Sequence, residues 1–217
     1  MIERDIIMRM VQQLAAAIAK VLVHKDLEQY DEAFKEIDDA CRGLIGMKWD
    51  FLRTFSDDQL SALLTVSEHP AKALAACELL REGSALLALQ GKSEESLQQA
   101  LKAFSLCVEL LSQDRRMLKF APVEKYSALL AGLEGVELPV AIEKKRFQFY
   151  EMTGELAKAR AALNGVVAKE PAFRKEEPGF YHRLEKASDE DLLKGGLTRQ
   201  DVLDGLASLK VPRRRGH

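Results

Sequence analysis

The chain has 217 residues, 47% of them hydrophobic, with 32 Lys and Arg set against 34 Asp and Glu. This is enough apolar material for a core without metals or disulfides, and a net charge of -2 gives no field for gathering nucleic acid or anionic lipid. Cys41, Cys77 and Cys107 are odd in number, far apart and set in apolar helical patterns, so they read as buried reduced thiols of a cytoplasmic protein.

Taken in order, Ile2, Ile6, Met10, Leu14, Ile18 and Leu22 recur every four residues and predict an amphipathic first helix. Its run from Met10 to Ala19 falls short of the roughly 20 apolar residues of a membrane span, and Arg9, Gln12, Gln13 and Lys20 interrupt or bracket it. Tyr30, Ala33, Phe34, Ile37, Ala40, Cys41 and Leu44 share one face of a second helix that stops near Gly43 or Gly46. Ser56 with Gln59 forms a capping box that opens a short helix. Pro70 starts a long helix that breaks at Gly91 and Lys92, and Ser93 caps the next, with Leu97, Phe104, Cys107 and Leu111 on its apolar face.

Two further helices each carry proline near the start and glycine at the end, in "APVEKYSALLAGLEG" and "LPVAIEKKRFQFYEMTG". "ELAKARAALNGVVAKEP" is helical up to Pro171. Phe180, Tyr181 and Leu184 mark a short helix, Ser188 caps another, and Thr198 with Asp201 opens the last. No segment alternates with a two-residue period, so the fold class is all-α.

In "TGELAKARAALNGVVAKEP", Gly154 permits a tight turn, and Leu156, Ala159, Leu163 and Val166 form a seam against the preceding helix. Tyr150, Gly154, Ala159, Leu163 and Pro171 together resemble the second half of a tetratricopeptide repeat. Tyr30, Ala33, Ile37 and Ala40, and again Ala100, Phe104 and Cys107, resemble the same half-repeat, but without a 34-residue period. The resemblance implies antiparallel helical hairpins packed as a tetratricopeptide-like degenerate solenoid or an irregular helical bundle. One domain over residues 1–210 is expected: an N-terminal hairpin at 1–46, middle helices at 56–133, a tetratricopeptide-like hairpin at 139–171, short helices at 178–210, and a disordered tail at 211–217. The start "MIERDIIMRMVQQLAAAIAKVL" and the end "FYHRLEKASDEDLLKGGLTRQDVLDGLASL" resemble a bacterial family of unassigned function with such a core. That family offers no catalytic residues to carry over.

No metal or cofactor site is expected. His24, His69, His182 and His217 are isolated, and no Cys or His pair has zinc-ligand spacing. "GLEGVE" and "KGGLTRQ" lack the pattern and the preceding strand of a phosphate loop. Ser84 has no nucleophile-elbow context. Asp38 and Asp39, like Asp189, Glu190 and Asp191, point too far apart along a helix to act on one atom, and read as solvated charges. Trp49, Phe51 and Phe55 read as a satellite core, and Arg115, Arg116 and Lys119 as a connection. Lys144 and Gln148, four apart on one helix face, are the candidate peptide-binding pair, weighed against a solvated face balanced by Glu143 and Glu151. The functional expectation is a protein-interaction or scaffold module with a protein or peptide partner, no nucleic acid, no membrane, and a homodimer open. The alternative is an enzyme or small-molecule binder with a pocket between helices.

Overall fold

The computed structural model describes residues 2–64 and 70–210; His69, the Arg213–Arg215 run, His217 and the tail read as disordered lie outside them. It is 84% helix, with twelve α-helices and no strand among the described residues. Where the sequence is read as one domain, the contacts divide the chain into two compact units, Met1–Leu133 and Glu134–His217.

In the first unit α1 (Ile2–Asp26) pairs with α2 (Tyr30–Ala40), and α5 (Pro70–Leu89) with α6 (Ser93–Gln113). The predicted face of α2 holds: Ala33, Ile37, Ala40 and Cys41 are buried. The chain passes through one turn of π-helix, Cys41–Ile45, and stops at Gly46, whose φ of 88° favours a residue without a Cβ. Two short helices follow, α3 (Trp49–Thr54) and α4 (Asp57–Leu64). The capping box forms as read, with Gln59 N–H donating to Ser56 Oγ at 3.2 Å and Ser56 N–H to Gln59 Oε1 at 2.9 Å. Pro70 and the break at Gly91 stand as predicted. Ser93 does not cap α6: Lys92 occupies the cap position and no side chain accepts there.

The centre of this unit is α5. It is mostly apolar, buried along most of its length, and packs against α1, α2, α3, α4 and α6, so that even its glutamates are enclosed. A reciprocal pair ties it to α6, with Ser84 Oγ donating to Ser96 O and Ser96 Oγ to Ser84 O, each at 2.8 Å. The only tryptophan, Trp49, is buried, and its ring lies where Gly83 of α5 has no side chain; a Cβ there would sit 2.3 Å from Trp49 Cη2. Phe51, expected beside it in a satellite core, is instead exposed. Asp38 is not merely solvated, because it accepts the Trp49 N–H at 2.7 Å and pairs with Arg42. Burial raises its pKa, but these donors hold the carboxyl below its ordinary value. The unit closes with a 3₁₀ turn at Arg115–Lys119, the connection read there, and α7 (Val123–Gly132).

The second unit is built on the hairpin of α8 (Val140–Thr153) and α9 (Leu156–Lys169). Gly154 takes φ 81° and Glu155 N–H donates back to Tyr150 O at 2.9 Å, closing α8 with a left-handed cap. The seam read from the sequence is the one that packs, since Leu156, Ala159, Leu163 and Val166 are all buried. Pro171 opens a 3₁₀ turn (Pro171–Glu176), followed by α10 (Glu177–Glu185), α11 (Asp189–Lys194) and α12 (Arg199–Lys210). Ser188 and Thr198 cap as expected: Asp191 N–H donates to Ser188 Oγ, and Asp201 N–H to Thr198 Oγ1, both at 3.1 Å. Gly195 lies directly against the start of α9, where its carbonyl accepts the Ala157 N–H at 2.8 Å.

Candidate functional site

Lys144 and Gln148 do lie one turn apart on α8, but they are not equivalent. The Lys144 ammonium is held by Glu170, 2.8 Å away, and stands 5.2 Å from the centre of the Phe173 ring, whereas Gln148 is exposed. Glu143, read as a solvated counter-charge, is buried and pairs with Arg146 at 2.8 Å. Glu151 is bound by Arg183, whose Nε donates at 2.6 Å. Helix periodicity places these side chains on α8, but it gives no sign of ion partners 26 and 32 residues away.

The same unit holds a cleft of about 700 Å³ between α9, the 3₁₀ turn, α10 and the end of α12. Asn164, Arg174, Glu177, Tyr181 and Ser208 supply polar groups, and Val167, Ala168, Pro178 and Leu209 supply the apolar lining. Tyr181 is fixed from behind, since its ring fills the space that a side chain at Gly205 would occupy, and Phe180 stacks edge-on at 5.3 Å. Burial, ahead of nearby charges, raises the Tyr181 hydroxyl above its ordinary pKa, so it is a neutral donor and acceptor. Arg174 and Glu177 face each other at 3.8 Å, with most of the arginine exposed. Both hydrogen-bonding signs and an apolar strip therefore line one open surface, which suits a peptide backbone with alternating side chains.

Sequence reasoning missed a second group, in the first unit. Glu78 and Glu82 are one turn apart on α5, only 5% and 3% exposed, and both bind the Arg81 guanidinium. Lys125 of α7 approaches them at 3.8 and 4.0 Å from the surface. Burial lowers the Arg81 pKa, but Glu78 and Glu82 outweigh it and hold the guanidinium charged. Two acids are thus matched by two cations, Arg81 from inside the helix packing and Lys125 from the surface, in a charge-balanced network. Nearby, Tyr126 OH donates to Cys77 O at 3.3 Å. All three cysteines are free and buried as expected. Burial pushes Cys41 up to about 12 and, with its Cys107 contact, moves Cys77 the same way, leaving unreactive thiols.

Among the described residues no group of three or more His, Cys, Asp or Glu is placed to hold a metal. A family model described as "Family of unknown function (DUF6483)" matches residues 1–213. The chain belongs to this family. No curated protein matches it, and no solved structure does. In this DUF6483 chain the cleft beside α9 and the charged network on α5 differ in their chemistry. The first is open and mixed in polarity; the second is closed and self-neutralised.

Proposed function

We propose that the chain is a protein-interaction module that takes an extended peptide segment in the cleft between α9, α10 and α12. The observation that carries this is the lining: Asn164, Arg174, Glu177, Tyr181 and Ser208 offer donors and acceptors beside an apolar strip, with no nucleophile and base in mutual contact among them. The tetratricopeptide resemblance supports it, because the three second-half segments coincide with α2, α6 and α9, the second helices of the pairs α1–α2, α5–α6 and α8–α9. The buried thiols accord with a reducing compartment such as a cytoplasm. A peptide carboxylate at Lys144 and Gln148 would have to displace Glu170, so the cleft is the easier seat and that pair a flanking contact.

The test is selection from a random peptide library displayed on phage, run on the wild type and on Arg174→Glu/Asn164→Lys. Both positions are exposed, so the fold persists. Peptides enriched on the wild type and weakened about tenfold or more on the variant are expected. Equal binding to both, or no enrichment, would remove the cleft from consideration.

A further inference from the structure

One helix in the first unit is dressed for burial and not buried. The Met10–Ala19 run read as too short for a membrane span belongs to a longer apolar stretch: among the described residues, α1 is the one helix long and apolar enough by length and composition to cross a membrane, over Asp5–Asp26, yet only 17% of its most apolar stretch is buried. Leu14 and Val21 face the core; Met8, Leu22 and Val23 are 40%, 37% and 58% exposed on the other side. At 100° per residue Met8, Gln12, Ala15, Ala19, Leu22 and Val23 form one continuous outer stripe, about 22 Å long at 1.5 Å per residue. A solvated helix carries charge on that side. Here the charges stand at its ends and edges.

We propose that this stripe is a homodimer interface, in which α1 packs antiparallel against α1 of a second copy about a two-fold axis between Gln12 and Ala15. Large and small residues then complement each other, with Met8 of each copy over Ala19 of the other and Gln12 beside Ala15. The small side chains at 15, 16 and 19 let the helices approach closely, while Gln12, one polar group inside an apolar seam, sets the register. The direction follows from charge. A parallel pair would place Asp5 against Asp5 and Asp26 against Asp26, whereas the antiparallel pair brings Asp5 within reach of Lys20 on the other copy, an exposed ammonium 3.4 Å from Glu36 of its own chain that Asp5 would share, and opposes the helix dipoles.

A lipid surface is a worse fit. To cross a bilayer α1 would have to pull Leu14 and Val21 from the core, and to lie on one it would present alanines, which gain little in lipid, beside Asp5 and Asp26, which anionic headgroups repel. Because the stripe lies on the first unit and the cleft on the second, the dimer stands whether or not the cleft binds peptide.

Sedimentation velocity on the full chain between about 1 and 100 μM reads the association directly. The expected result is a concentration-dependent dimer that Ala19→Glu abolishes while leaving the circular dichroism spectrum and melting temperature of the monomer unchanged. Register is read by oxidation of variants that add one exposed cysteine to the three buried native thiols. Ala15→Cys crosslinks to itself, the two sites being about 4.5 Å apart along the axis, and Val23→Cys does not, its sites being about 28 Å apart. A monomer throughout, a dimer that survives Ala19→Glu, crosslinking through Val23→Cys, or binding to phosphatidylcholine and phosphatidylglycerol vesicles in place of dimerisation would each overturn the proposal.

Discussion

Helices α1 and α5 are both apolar beyond what a surface helix needs, and their fates are opposite. Around α5 the chain has arranged α1, α2, α3, α4 and α6, so that even its two glutamates are enclosed and must be neutralised by Arg81 and Lys125. Around α1 it has arranged only one side, with α2, α5 and the π turn. Apolar composition therefore says that a helix needs partners, but not whether the same chain supplies them. The unsupplied side of α1 is where a second copy is inferred.

If α5 is the core and α1 its rim, truncation should discriminate between them. Leu80→Ala, fully buried on α5, is expected to cost about 3 kcal/mol in urea denaturation, within the usual range for buried leucine. Gly83→Ala adds a methyl where the Trp49 ring already lies and should cost about 2 kcal/mol. Trp49 being the only tryptophan, its fluorescence should shift at the same time. Ser84→Ala removes one half of the exchange with Ser96, for a loss of about 1 kcal/mol by the same measurement. On α1, Val23→Ala should change monomer stability by less than about 0.5 kcal/mol. A loss there as large as at Leu80 would break the comparison.

The second unit carries a pH signature of its own at the start of α12. Asp201 accepts from the Thr198 hydroxyl, then from the Thr198 N–H, and pairs with Arg160 at 2.9 Å, so its carboxyl sits well below its ordinary 3.8. A depressed folded pKa stabilises at neutral pH, and that contribution is lost as the pH falls below 3.8 toward the folded value. Acid titration followed by amide NMR should show the start of α12 loosening in that range, and Asp201→Asn should abolish the dependence.

What could be read in advance follows a physical line. Helix starts and stops were legible because caps act within three or four residues: Ser56 with Gln59, Thr198 with Asp201, and Gly154 with Tyr150 behind it. The seam of α9 was legible because its spacing repeats. Helix α3 was not, because Trp49 is placed by Gly83 and Asp38, both distant in sequence. Nor was the Glu78–Arg81–Glu82 network, since charges one turn apart look the same on a solvated helix as on an enclosed one. The candidate pair at Lys144 and Gln148 was found by local spacing, which is blind to Glu170. The cleft gave no local signal at all, because its lining comes from three helices and a turn.

Hydrogen exchange followed by mass spectrometry at two protein concentrations tests the contrast between core and rim most directly. The account predicts that α5 amides exchange only through global unfolding at either concentration, while α1 exchanges through cheaper local opening when dilute and gains protection when concentrated. Equal protection of α1 and α5 in the dilute sample, with no change on concentration, would contradict it.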